Sequence, residues 1–162
     1  SVERNGDVVA MTSYAPLLAK EGCIQWNPDL IYFNNKEVKP TVDYYVQQMY
    51  GQNAGNEYIS AEVLLDNNQI SVKKRIGTSV VRDGKTGDLI VKLVNMLPVC
   101  VNAHLEIPSL KGINAIVTKT LLMGNPVDVD VVPVSETIGI SDKFPYELPA
   151  YSFTVLRIQA SK

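Results

Sequence analysis

Prolines constrain this chain more than any other residue type. Pro98, Pro108, Pro126, Pro133, Pro145 and Pro149 fall between short apolar runs or at their ends. A proline has no amide proton to give to a ladder, so sheets confine it to edges, strand starts and bulges. The runs it separates cover residues 79–81, 89–94, 99–107, 115–122, 127–132 and 151–159. Ile70, Val72, Lys74 and Ile76 alternate with their neighbours as a further strand. Arg82-Asp83-Gly84-Lys85-Thr86-Gly87-Asp88 reads as a hairpin turn between two of the runs. Many short strands with turn signals and no convincing helix predict a β-sandwich of the jelly-roll kind.

The first third has a different texture. Residues 7–14 read as a helix, capped by Asp7 or Asn5, with Val8, Met11 and Tyr14 at helical spacing. Pro16 ends it, because the residue before a proline disfavours helical angles. Leu17 and Leu18 suit a very short buried strand, Lys20-Glu21-Gly22 a turn, and residues 30–33 an extended apolar segment. A second helix is expected from Pro40 to Tyr50. It buries Val42, Tyr45, Val46 and Met49 at i, i+3, i+4, i+7 and ends at Gly51. The polar loop 52–56 marks a boundary, giving a helix-strand-helix unit over 1–52 and the sandwich over 53–162.

Composition narrows the function classes. Hydrophobic residues make up 46% and charged residues 20%, the balance of a packed globular protein. The net charge of −2 argues against nucleic acid, which needs clustered Lys and Arg. No apolar run is long enough to cross a bilayer, and no basic-then-apolar leader is present. Cys23 and Cys100 are too few for a disulfide framework and read as buried thiols, with a bridge between them as the alternative. No Asn-x-Ser/Thr sequon occurs.

Few residues offer chemistry. No cofactor is implied: there is no Gly-x-Gly-x-x-Gly, Walker loop, Cys-x-x-Cys or His-Glu-x-x-His. The single histidine, His104, reads as a strand residue and cannot by itself build a His-rich zinc site. Glu57, Glu62, Glu106, Glu136 and Glu147 are scattered, and nothing brings two of them to the roughly 5 Å that a retaining glycosidase needs. Asp128 and Asp130 share a strand face; solvent explains them, and calcium is the weaker alternative. Lys73-Lys74-Arg75 fits an exposed, aggregation-resistant edge. Trp26, the only tryptophan, lies among Gln25, Asn27 and Asp29. It either stacks on a sugar, with those neighbours bonding hydroxyls, or packs at a domain junction.

Several segments together carry a specific resemblance. Glu3-Arg4-Asn5-Gly6-Asp7 with Ser13-Tyr14-Ala15-Pro16-Leu17, then Trp26-Asn27-Pro28-Asp29-Leu30-Ile31-Tyr32-Phe33, resembles the α-L-arabinofuranosidases of glycoside hydrolase family fifty-one. So do residues 88–95 and 148–158. The resemblance implies a retaining exo-enzyme that removes terminal arabinofuranosyl groups from arabinan, arabinoxylan and arabinogalactan. Its catalytic unit is a (β/α)8 barrel followed by a jelly-roll sandwich. It implies that residues 1–52 are the remnant of the last barrel unit and that both catalytic glutamates lie upstream of this chain. No catalytic residue is therefore assigned here, and no activity is expected of the chain alone.

The same resemblance places residues 19–33 in the loop at the active-site face and makes Trp26 and Asn27 the candidates for substrate contact. Many members carry a substrate-touching Gln where this chain has Pro16, so that contact is not expected. The implied partners are the catalytic barrel, arabinose-containing polysaccharide through the parent, and a second copy in a homo-oligomer. Relatives are exported or reside in the plant wall. A sandwich strand contributed from ahead of the barrel should leave an unpaired sheet edge here. Val42, Tyr45 and Met49, without a barrel to fill, should cover the sandwich or a neighbouring molecule. The competing reading is a carbohydrate-binding module, with Tyr58, Tyr146 and Tyr151 as its aromatic platform.

Overall fold

The computed structural model describes residues 2–128 and 130–160. The chain opens with a single 3-10 turn, Glu3–Asn5. The helix expected over 7–14 is absent: the turn ends at Val8 and the backbone is irregular to Tyr14. Val8 and Met11, the intended apolar face, are 78% and 85% exposed. Without a surface to bury that face, so short a helix has nothing to offset its nucleation cost.

Three short strands follow. β1 (Leu18–Lys20) pairs in parallel with β2 (Ile31–Phe33), and β2 pairs antiparallel with β3 (Val38–Pro40). The strand expected at Leu17 and Leu18 is therefore displaced by one residue. It is not buried there, since both leucines are exposed and only Ala19 is enclosed. The free edge of β1 has no partner among the described residues.

Helix α1 (Val42–Gln52) starts later than the sequence suggests. Pro40 is still in β3, and Thr41 is the cap, its hydroxyl oxygen accepting from the Tyr44 amide at 3.3 Å. Gly51 lies inside the helix. The end is closed by Asn53, whose side-chain amide donates to the Met49 carbonyl at 2.9 Å. The expected buried face holds: Met49 is enclosed, and Val42, Tyr45, Val46 and Tyr50 pack with it onto the sheet below.

The body of the molecule is β. β4 (Glu57–Ile59) is followed by a loop and a single turn of helix, α2 (Ile70–Lys73). That turn replaces the strand expected over 70–76, so Lys73-Lys74-Arg75 is not a strand edge. The side chains of Ile70 and Lys73 remain in solvent, and the alternation there has no sheet face to serve. Beyond it come β5 (Ile76–Arg82), β6 (Leu89–Asn95), β7 (Val101–Glu106), β8 (Ala115–Met123), β9 (Val134–Ile140), β10 (Lys143–Leu148) and β11 (Ser152–Ile158). One antiparallel sheet has the order β4-β5-β6-β11-β8-β9, and β7 pairs with β10 in a second.

The strand expected over 127–132 is a loop at its described positions, with Val129 outside the described residues. There Asp128 accepts from the Asn125 amide at 2.7 Å, closing a turn instead of lining a strand face. Pro145 lies inside β10, opposite His104, not at a strand end. It is tolerated because both strands of a two-stranded sheet are edges.

The six-stranded sheet is covered on both faces. Val80, Val91, Val117, Leu156 and Ile158 point to one side, where Leu105 and Phe144 of the second sheet meet them. Val81, Ile90, Leu122, Phe153 and Val155 point to the other side, beneath α1. Central strands β6 and β11 are therefore near-continuous apolar runs rather than alternating ones. The architecture is a mainly β sandwich with one helix across its back.

That back face holds an ion pair. Lys92 of β6 has a fully buried side chain, and its Nζ lies 2.5 Å from Glu3 Oε1. Ser79 of β5 donates its hydroxyl to Glu3 Oε2 at 2.5 Å. The ammonium sits 5.5 Å from the centre of the Tyr50 ring, which stacks on Phe153. Burial pushes the Lys92 amine below its usual range, and Glu3 acts against that shift. Glu3 thus ties the N-terminal turn to the sandwich.

Candidate functional site

The loop between β1 and β2 carries Trp26 and Asn27. Gly22 opens it at φ 79°, a left-handed conformation that a glycine adopts without strain. Backbone bonds pin both ends: Glu21 N–H to the Phe33 carbonyl at 2.9 Å, and Ile31 N–H to that of Leu17 at 3.0 Å. Thr41 anchors the exit, its hydroxyl donating to the Leu30 carbonyl at 2.7 Å. Alongside, Lys39 bridges Glu21 at 2.8 Å and Glu37 at 3.1 Å, and Asn34 donates to Glu21 at 2.7 Å. The bonds from Lys39 and Asn34 hold the Glu21 carboxyl below the usual range.

Trp26 is 67% exposed, so its indole packs on little of this chain. Asn27 is exposed too, and its Oδ1 accepts from the Tyr32 hydroxyl at 2.9 Å. The Tyr32 oxygen in turn accepts from the Asp29 backbone amide at 2.9 Å. Asp29 is itself buried, and its Oδ2 has no hydrogen-bond partner among the described residues. Nearby, Tyr14 donates to Asp43 Oδ2 at 3.2 Å; burial first, and then Asp43, push the Tyr14 phenol up. The loop therefore presents one aromatic face and one carboxamide on a polar frame. An aromatic face beside an amide suits the C–H and hydroxyl surfaces of a sugar.

Other residues singled out in the sequence are dispersed. His104 is exposed on β7. Glu57 pairs with Arg82 at 3.2 Å, Glu136 with Lys119 at 2.5 Å, and Glu106 with Lys143 at 4.0 Å. Among the described residues, no three or more His, Cys, Asp or Glu side chains could hold a metal. The three tyrosines proposed as a platform do not share one. Tyr58 packs toward α1, while Tyr146 lies on the opposite side of the large sheet and bonds Thr154 at 3.0 Å. Cys23 and Cys100 are free and exposed, which corrects the expectation of buried thiols: one sits in a surface turn, the other ahead of an edge strand.

Two features escaped the sequence, one in this loop and one on the back face of the sandwich. Tyr32 read only as part of an apolar extended segment, although its hydroxyl organises the loop. Lys92 read as a strand residue, although a lysine inside Leu89-Ile90-Val91-Lys92-Leu93-Val94 was a legible sign of a buried charge.

The family model of the alpha-L-arabinofuranosidase C-terminal domain matches residues 1–152. An extracellular exo-alpha-L-arabinofuranosidase of Streptomyces chartreusis is 44% identical over 61 residues, 38% of this chain and 7% of that protein. A probable alpha-L-arabinofuranosidase A of Aspergillus flavus is 51% identical over 57 residues, 34% of this chain and 9% of its own length. Among solved structures, arabinose-bound MgGH51 α-L-arabinofuranosidase superposes with a TM-score of 0.85 at 25% identity, covering 99% of this chain and 26% of that one. The matches thus span less than a tenth of these curated relatives. By the extent of the family match, the chain belongs to the alpha-L-arabinofuranosidase C-terminal domain family.

Proposed function

We propose that this chain is the carboxy-terminal part of a retaining α-L-arabinofuranosidase that releases terminal arabinofuranosyl groups from arabinan and arabinoxylan. The reacting glutamates belong to a (β/α)8 barrel outside this sequence, and residues 1–52 are the last unit of that barrel. Residues 53–162 form a jelly-roll accessory domain that stabilises it. Trp26 and Asn27 face the substrate from the loop after β1.

One observation carries the reading. Val8, Met11, Leu17, Leu18, Ile24 and Val38 are all exposed, and all lie within, beside or ahead of a three-stranded sheet whose β1 edge is open among the described residues. So much uncovered apolar surface in one segment fits a region that is covered in the whole protein. The second sheet, which consists of β7 and β10 among the described residues, is where a strand from ahead of the barrel pairs.

The test is a chromogenic arabinofuranoside. The chain alone turns over none of it, and the chain joined to its catalytic domain does, releasing the α-anomer first. Turnover by the isolated chain would refute the proposal. In the joined protein, Trp26→Ala raises KM with little change in kcat if the indole serves ground-state binding.

A further inference from the structure

The hydrogen bonds at Tyr32 settle which way the Asn27 carboxamide faces. A phenol oxygen accepts lone-pair bonds but has one proton to give. At Tyr32 the Asp29 backbone amide already donates into that oxygen at 2.9 Å. The remaining neighbour, 2.9 Å away, is the Asn27 side chain. The phenolic proton is donated there, to Oδ1, so the carbonyl end of the Asn27 amide faces Tyr32. Its Nδ2, with two N–H donors, then points away and has no acceptor among the described residues. An unrestrained asparagine at a surface offers either end of its amide; this one turns its donor end outward.

We propose that Tyr32 is a positioning residue that fixes Asn27 as a hydrogen-bond donor to an oxygen of a furanosyl sugar lying on the adjacent Trp26. This rests on the substrate-facing reading of Trp26 and Asn27 given above. Tyr32 is suited to the task. It sits in the middle strand of the small sheet, held by Ala19 on one side and Lys39 on the other. Orienting the amide before the sugar arrives removes part of the ordering cost of binding. The expected ligand group is one that accepts and need not donate, such as the ring oxygen or a hydroxyl lone pair.

The experiment uses the enzyme that carries this chain together with its catalytic domain, and a chromogenic arabinofuranoside. Asn27→Ala should raise KM about tenfold, the value of roughly one good hydrogen bond. Asn27→Asp keeps the acceptor toward Tyr32 but has no N–H, and should match Asn27→Ala. Tyr32→Phe keeps the ring and frees the amide to turn. It should raise KM about two- to fivefold with kcat unchanged, and add nothing in the Asn27→Ala background.

Should Tyr32→Phe leave KM unchanged, or add fully to Asn27→Ala, the positioning role is wrong while the substrate-facing reading stands. Should Trp26→Ala and Asn27→Ala both leave KM unchanged, that reading itself is wrong. If Tyr32→Phe fails to fold, Asn27→Asp still decides: wild-type KM would overturn the donor assignment.

Discussion

The first forty residues and the sandwich are built on opposite principles. In the sandwich, seven-residue strands in register bury apolar side chains on both faces of one sheet, and Ile90, Val117 and Leu156 are wholly enclosed. In the N-terminal segment the strands are three residues long, and large apolar side chains lie in solvent. Beyond the enclosed Ala19 and Leu30, what holds that segment is polar: the Lys39–Glu21–Asn34 cluster, the Thr41 bond to Leu30, and the Tyr32 relay. A region held by directed bonds keeps its loops in place while its apolar surface stays available to a partner. A region held by packing needs no partner on its covered faces.

The contrast is broken most severely where the two regions share a buried charge. Glu3→Ala leaves the Lys92 ammonium under α1 without a counter-ion and should cost about 3–5 kcal/mol in denaturant unfolding. Lys92→Met in the same background should recover most of the loss, because it removes the stranded charge. If Glu3→Ala costs under about 0.5 kcal/mol, the range of an ordinary surface change, the tie between the regions is decorative.

Packing alone sets the next effect. Leu156→Ala, in the middle of β11, should lower stability by about 2–5 kcal/mol through lost burial and a residual cavity. Thermal unfolding followed by circular dichroism checks it.

Acid probes the far end of the sandwich, where Arg157 binds Asp83 and Asp88, each at 2.7 Å. The Lys85 amide and Arg157 hold the Asp83 carboxyl below its ordinary value. Burial pushes Asp88 up, but Arg157, the Ala160 amide and Thr86 together bring it below its ordinary value as well. A carboxyl depressed by folding stabilises the fold above its unfolded pKa, and that contribution is lost as pH falls through the folded value. The melting temperature should therefore drop as pH falls below about 4, the ordinary aspartate value. Arg157→Leu should flatten that drop; an unchanged pH profile would rule the cluster out as its source.

The smallest effect belongs to the open region. Leu18→Ala should change the stability of this chain by no more than about 0.5 kcal/mol, since the side chain is 59% exposed. The same substitution should weaken association with a separately made catalytic domain, measured by titration. A large loss in the isolated chain would erase the distinction between the two regions.

Legibility in the sequence follows the same divide. The hairpin around residues 82–88, strands β8 and β11, and the buried face of α1 were readable because local pattern and tertiary burial agree there. The helix over 7–14 and the strand over 70–76 were misread because their periodicity has no face to pack against. β9 and β10 were missed: β10 contains Pro145, and β9, Val134-Ser135-Glu136-Thr137-Ile138-Gly139-Ile140, is mostly exposed. At the candidate site, Trp26 and Asn27 were singled out by residue type and motif, and their contact with substrate is a proposal. The role of Tyr32 depends on a bond that turns back across the loop, which linear spacing does not encode.

Pro145 bears on more than strand assignment. A two-stranded sheet with bare flanks is a template on which further chains could stack into fibrils. An imino acid in the middle of β10 removes one donor from that template, as prolines in edge strands do. The flank can still take up a strand tailored to it, yet it is a poor seed for indefinite growth. A replacement such as Pro145→Val would keep the fold and trade away that safeguard.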